Sequence, residues 1–510
     1  MKLISIIPGF KAKQDPALLA KAEALKPRLT VTEHAPCACS VNGSAVSIAD
    51  LPCLPLSPGD RVLLDFGRHL VGRLHLDLAG SGAHQDAPAM LRIAFAEALQ
   101  ELDIDPETYD GWLSRSWIQQ EQVYADVLPK ELCLSRRYAF RYIRLTVVDT
   151  SPKYKLILRG ARCFAETSAD LSAPVPKTFP DEELRRIYDV SLMTLAECTQ
   201  EVLEDGPKRD QRLWIGDLRL QALTSYRSFR SLDLIKRCLY LFAGTRFPDG
   251  RMGANVFTSP EPEVDDTYLM DYALLYPIAL LEYLQETGDA EAQADLMQPA
   301  LCQVDYVLAN CVDQEGILTP EQKDQCFIDW SDSLSRTVSA QGVLILALDA
   351  AEALCARAGD RQRSESYQGK AAAMREAALK RFFSPEEGCF LSDGQISIHS
   401  QIWMTLAGVM PKDLAPRAFE RAEAADGPKM LTPYIHHYYV TALIEAGMKD
   451  RAEKHLRDYW GGMVRAGADT FWECYVPGDP AASPYGSPIV NSFCHAWSCT
   501  PAWIIDRYFL

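Results

Sequence analysis

Residues 171–183 read LSAPVPKTFPDEE, and the periodicity of the chain changes across them. Before this stretch, apolar residues alternate with polar ones. In GRLHLDLAG (residues 72–80), Leu74, Leu76 and Leu78 face one way while Arg73, His75 and Asp77 face the other, as in a half-buried strand. YKLILRG (154–160) repeats the alternation, and AFRYIRLTVV (139–148) is rich in the β-branched and aromatic residues that strands favour. Gly and Pro clusters separate these runs, so residues 1–170 are expected to form an antiparallel β-sandwich. After the linker the spacing becomes helical. Leu184, Ile187, Tyr188, Ser191, Leu195, Cys198 and Val202 share one helix face, and the acids closing the linker suit a helix N-terminus. Similar stretches recur at 215–243, 267–287, 290–311, 337–357, 363–383, 398–421, 434–458 and 492–509, enough for about a dozen helices. Residues 184–510 are therefore expected to be an all-α domain of paired helices. The spacing leaves both a closed toroid of hairpins and an irregular bundle open.

Composition narrows the function. The 510 residues carry 52 Lys plus Arg against 69 Asp plus Glu, a formal net charge of −17. That balance repels phosphate backbones and anionic bilayers, so neither nucleic acid nor membrane is an expected partner. The apolar run before Pro8 is too short for a signal peptide, and ALLYPIALL (273–281) is too short to span a bilayer. Fifteen scattered cysteines, an odd number, read as reduced thiols in a cytoplasm. No Cys/His spacing along the sequence matches a zinc site, so no metal or organic cofactor is expected.

The candidate chemistry lies in connections between helices. DGPKRDQRLWIGD (205–217), FIDWSD (327–332), DTFWECY (469–475) and NSFCHAWSCTPAW (491–503) each set acids or a histidine beside tryptophan. A sugar-cleaving cleft needs both: rings to stack on C–H faces, and two carboxyl groups flanking the scissile bond. Each cluster alone also fits an ordinary role. Asp329 could cap a helix, Arg209 and Asp210 could be an ion pair, and His495 a hydrogen-bonded core residue. Their recurrence in one helical domain favours the cleft. No G-x-S-x-G elbow, P-loop or G-x-G-x-x-G fingerprint is present.

DGPKRDQRLWIGD, MDYALLYP (270–277), FIDW (327–330), DYWGGM (458–463), TFWE (470–473) and CHAWS (494–498), in this order, resemble the α-L-rhamnosidases of glycoside hydrolase family 78. The resemblance implies β-sandwich structure before an (α/α)6 toroid of six helical hairpins, and an inverting hydrolase that removes terminal α-L-rhamnose from small rhamnosides. It implies Glu473 as general base, Asp205 and Arg209 as ligands of the sugar hydroxyls, Trp214 and Trp330 as stacking walls, and Asp271 and His495 as further pocket residues. Relatives often read D-C-P-x-R-D-E-R-L-G-W-x-G-D, with the Glu as general acid. Counting forward from Asp205 puts Gln211 in that place, and glutamine cannot donate the proton. Counting back four from Trp214 gives Asp210, which is expected to act instead. Were Gln211 a sign of lost catalysis, the chain would be a non-catalytic sugar-binding protein. An inverting exo-glycosidase for another terminal sugar is the remaining alternative. The expected partner is a small rhamnosylated glycoside, with a homodimer left open.

Overall fold

The structure, a computed structural model, describes residues 9–321, 325–479 and 481–510. The apolar run before Pro8 lies outside them.

The N-terminal third of the chain folds into a nine-stranded β domain. Its strands are β2 (Thr30–His34), β3 (Ala38–Val41), β4 (Ser44–Val46), β5 (Arg61–Gly82), β6 (Ala89–Ala96), β7 (Gln120–Ala125), β8 (Lys130–Cys133), β9 (Tyr138–Asp149) and β10 (Tyr154–Thr167). β5 organises the domain. Its first part pairs with β3 and β9, a register shift between Asp65 and Leu70 bends it, and its second part pairs with β8 and β10. Gly67, at φ +77°, lies inside that bend, where a left-handed residue is needed. Val62, Leu64 and Phe66 from one part and Leu74, Leu76 and Leu78 from the other share one core with β9 and β10. Burying each such leucine contributes roughly 1.5–3 kcal/mol, so the alternation fixes the register.

The helical domain contains α2 (Glu182–Cys198), α3 (Ile215–Tyr226), α4 (Leu232–Gly244), α5 (Met270–Thr287), α6 (Ala290–Asn310), α7 (Thr337–Arg357), α8 (Arg361–Phe382), α9 (Ile398–Leu406), α10 (Ala415–Ala424), α11 (Pro433–Glu445), α12 (Lys449–Arg465) and α13 (Pro501–Tyr508). α2 begins within the acids that close the linker. Asp181 caps it by accepting from the Leu184 amide, and Glu182 and Glu183 occupy its first turn. All seven residues of the expected apolar face are buried. The stretch 492–509 is α-helical only from Pro501; residues 491–500 form a buried segment, with one 3-10 turn at Ala496–Ser498, that reaches the cavity described below.

The N-terminal segment departs from the expected division at residue 170. Strand β1 (Lys13–Gln14) pairs with Thr245–Arg246 beside α4, and helix α1 (Pro16–Ala24) lies on α4. Leu18 and Ala22 thereby join the helical core, and the Arg237 guanidinium binds the Ala22 carbonyl. The first described elements lie on the helical domain, and the chain then crosses to build the β domain.

The two domains are locked together by buried polar contacts. Arg137, just before β9, donates to both oxygens of Glu204, at 3.0 and 2.7 Å. Glu97 accepts from the Phe493 amide at 2.6 Å and from His69 Nε2 at 3.0 Å. Lys208 is inserted between Glu101 and the Asn491 carbonyl. Within a protein, such buried, paired polar groups favour one docking geometry.

Candidate active site

Asp205 staples the loop that the sequence singled out. Its amide donates to the Arg212 carbonyl at 3.0 Å, its Oδ1 accepts from the Arg212 amide at 3.0 Å, and its carbonyl accepts from Ala496. The six residues between are thrown into a tight excursion. Gly206 sits so close to Ser492 that a Cβ would lie 2.8 Å from its Oγ. Asp210 and Gln211 are consecutively left-handed, at φ +69° and +52°, a conformation that favours glycine and that Asp and Asn tolerate better than most residues. Two such residues in succession turn their side chains apart. Gln211 folds back, its Nε2 donating to the Pro207 carbonyl at 2.7 Å, while Asp210 faces a cavity.

This cavity has a volume of about 270 Å³, near the lower end of the ~300–1,000 Å³ of small-molecule sites. Asp205, Arg209, Asp210, Trp214, Trp330, Glu473 and His495 all line it. Asp271 does not. Its carboxylate instead accepts from the amides of Phe327 (3.0 and 3.1 Å) and Ile328 (2.9 Å). Ile328 is a β-branched residue at φ +54°, a strained conformation, and Asp271 holds it there. Asp271 therefore shapes the FIDW turn from behind, leaving Phe327 and Trp330 to face the cavity. Asp329 is likewise fully buried, accepting from Trp330 and Leu431 amides, Thr432 Oγ1 and His399 Nε2.

Arg209 departs from a simple sugar ligand. Its Nη2 closes on both carboxylate oxygens of Glu473 and on the Tyr485 hydroxyl, and its Nη1 lies 3.5 Å from Asp210 Oδ2. Its plane also sits 4.4 Å from the Tyr485 ring centroid. The other two bases point away from Asp210. Lys208 goes to Glu101, and Arg212 stacks on Phe257 at 4.3 Å.

The carboxyl groups around the cavity experience different surroundings. Burial pushes Glu473 up, but the Arg209 guanidinium and the Tyr485 hydroxyl outweigh it and hold the carboxyl below its usual range. Burial, with Asp210 and Asp217 nearby, pushes Asp205 well up; burial, with Glu473 and Asp210, does the same to Asp217. Burial also lowers His495 to about 3, so its ring is neutral. The ring lies 4.2 Å from Trp497, with Nδ1 3.5 Å from Asp217 Oδ1 and Nε2 4.0 Å from Glu473 Oε1. His495 Nδ1 and Asp217 Oδ1 are both buried without a hydrogen-bond partner. Neighbouring carboxyl groups pushed in opposite directions are the pattern of a site that separates acid from base.

Sequence reasoning missed several wall residues. Asp217 closes the DGPKRDQRLWIGD stretch yet drew no role. Tyr485 belongs to a turn-like PYGSP run with no apparent chemistry. Trp112 and Trp117 come from the β domain, on an excursion between β6 and β7, although WLSRSW (112–117) carries the same aromatic and polar mixture as the other clusters. That excursion is clamped to the Tyr485 segment. Trp112 Nε1 donates to the Pro484 carbonyl at 3.1 Å, the Tyr109 hydroxyl donates to the Tyr485 carbonyl at 3.3 Å, and Gly111 packs where any Cβ would strike that carbonyl. The β domain thus completes the cavity wall.

Comparison with known proteins agrees with this architecture. Residues 33–165 match the glycosyl hydrolase family 78 alpha-rhamnosidase N-terminal domain, and residues 179–507 match the bacterial alpha-L-rhamnosidase six-hairpin glycosidase domain. A solved rhamnosidase from Klebsiella oxytoca with rhamnose bound is 41% identical, with a TM-score of 0.94 over 98% of this chain and 100% of that one. The family 78 rhamnosidase of Bacillus sp. GL1 shares the fold at 20% identity and a TM-score of 0.73, over 97% of this chain and 49% of that one. The Streptomyces avermitilis α-L-rhamnosidase complexed with L-rhamnose does so at 17% identity and 0.67, over 94% of this chain and 44% of that one. No curated protein sequence matches. The chain belongs to glycosyl hydrolase family 78, and it is an α-L-rhamnosidase.

Proposed function

We propose that this enzyme removes terminal α-L-rhamnose with inversion, Glu473 serving as general base and Asp210 as general acid. The observation that carries the reading is the placement of Arg209 against both carboxyl groups at the floor of one small cavity. Glu473 is held ionised, so it can take a proton from water as that water attacks the anomeric carbon. Asp210, its side chain 18% exposed against 3% for Glu473, faces the cavity with Arg209 as an ion-pair partner. It is placed to protonate the departing glycosidic oxygen. The bond from the anomeric carbon to that oxygen breaks while the bond to water oxygen forms on the opposite face. Trp214 and Trp330 supply apolar faces for the ring, and neutral His495 and Asp205 supply hydrogen bonds to hydroxyls. Two carboxyl groups handle both protons, so the chemistry asks for no metal.

A specific observation favours a second acid. Asp217 lines the same cavity, is pushed toward its neutral form, and leaves Oδ1 unpartnered. The two aspartates are distinguished by leaving group. Asp210→Asn is expected to slow rhamnosides with poor leaving groups far more than activated aryl ones, while Asp217→Asn slows both alike; the reverse pattern transfers the role to Asp217. The cavity volume supports small rhamnosides as substrates, and the absence of disulfides among the described cysteines supports a reducing compartment such as the cytoplasm.

A further inference from the structure

We propose that His75, Glu131 and Cys133 form a divalent-metal site, fitted to zinc, on the outer face of the β domain. The register of β5 and β8 sets His75 directly opposite Cys133 and Asp77 opposite Glu131. Strand alternation then puts Glu131 and Cys133 on the same face as His75, while Leu132 between them turns into the core. His75 Nδ1 lies 3.2 Å from Glu131 Oε1 and 3.3 Å from Cys133 Sγ. All three ligand atoms lie within 4.8 Å of one another.

Those separations are close to the edges of a zinc tetrahedron. With Zn–N and Zn–O near 2.1 Å and Zn–S near 2.3 Å, the N···O and N···S edges are about 3.4 and 3.6 Å. Imidazole, carboxylate and thiolate together form a borderline-soft donor set that suits zinc better than magnesium or calcium. Three protein ligands leave a fourth position for water. Access is open, since Cys133 and Glu131 are exposed.

Arg162 competes for the carboxylate, its Nη2 2.5 Å from Glu131 Oε1. The competition is weak. Both side chains are more than 40% exposed, and such surface pairs contribute little. Glu33, 3.8 Å from Arg162 Nη1, offers the guanidinium another partner when Glu131 turns to the metal. His75 is steadied by the Phe164 ring, 4.5 Å away between centroids. Binding would replace the Cys133 thiol proton with the metal, so affinity rises with pH. The ion would clamp β8, a four-residue strand paired to β5, and none of its ligands lines the catalytic cavity.

The test is calorimetric titration of zinc chloride into the metal-stripped full chain, with alkylation of exposed cysteines followed by mass spectrometry. One zinc per chain is expected, and His75→Ala and Cys133→Ser are each expected to weaken it at least about tenfold, no less than loss of a supporting group around a metal. Zinc should slow alkylation of Cys133 and leave exposed Cys37 and Cys53 unchanged. Both variants lie at the surface and should retain wild-type rhamnoside hydrolysis, which verifies their folding. Absence of stoichiometric binding, binding indifferent to both substitutions, or equal protection of all three thiols would overturn the site.

Discussion

Arg209 grips both carboxylate oxygens of Glu473 from the far side of the cavity floor, and its other guanidinium nitrogen stands 3.5 Å from Asp210. One cation thus sets the charge of the groups proposed to move both protons. It favours the ionised form of the nearer and more fully contacted carboxyl, which is what a general base requires.

Removing that cation should therefore shift the acid limb of the rate profile. Glu473 must be ionised to work, so activity falls as pH drops through its pKa. Arg209 and Tyr485 both lower that pKa. Arg209→Met is expected to move the acid limb of kcat/KM up by ~1–3 pH units, and Tyr485→Phe to move it up by less. The measurement is kcat/KM against pH for the variants and the parent. An unmoved limb in Arg209→Met would remove Glu473 as the titrating base.

Gln211 turns away from the cavity, so Gln211→Ala is expected to keep kcat within a few-fold on every leaving group, whereas Asp210→Asn loses ~10²–10⁴ on poor ones. Steady-state kinetics on a graded series of aryl rhamnosides separates the two. Equal losses from both substitutions would show that the loop's shape, and not the Asp210 proton, matters.

Glu101 of the β domain neutralises Lys208, the residue before Arg209, at a site where both are buried. Glu101→Gln leaves the ammonium only Glu97, 3.9 Å away, and the Asn491 carbonyl, and the expected cost is up to about 3–5 kcal/mol of stability together with a lower kcat. Glu101→Leu with Lys208→Met removes both charges and should recover most of the stability. Chemical denaturation of the three proteins, with kcat beside it, checks this. A double variant no more stable than the single one would contradict the ion-pair account.

Asp271→Ala deletes the acceptor for the Phe327 and Ile328 amides. Each buried donor left unmet costs about 1–3 kcal/mol, and the strained Ile328 should relax. Because Trp330 is carried on that turn, KM for rhamnosides is expected to rise more than kcat falls. A pure stability loss with unchanged KM would separate Asp271 from the wall it is argued to shape.

The fold was legible because its two signals are local. Alternation at Leu74, Leu76 and Leu78 and the helical face from Leu184 to Cys198 each follow from which residues must leave water. The change between them falls in the linker that precedes α2. Helix α1 was not placed, since nothing in PALLAKAEA states that Leu18 and Ala22 bury against α4 from so far away in sequence. In the site, the charged loop and the Trp-Glu pair were visible as conflicts between charge and aromatic bulk. Tyr485 and Trp112 were not, because their roles arise where two domains meet. Asp271 misled for a related reason: a buried acid in a motif can serve the backbone as readily as a substrate. The His75, Glu131 and Cys133 cluster was invisible because strand register, not spacing along the chain, brings those residues together.

The central claim is that Glu473 directs water to the face opposite Asp210. The most direct measurement is the configuration of the sugar first released from an aryl α-L-rhamnoside, followed by proton NMR before mutarotation. The expected result is β-L-rhamnose appearing first, the α anomer growing in only as the free sugar equilibrates, and no release above background by Glu473→Gln on the same timescale. Initial release of α-L-rhamnose, or β release undiminished in Glu473→Gln, would contradict the account.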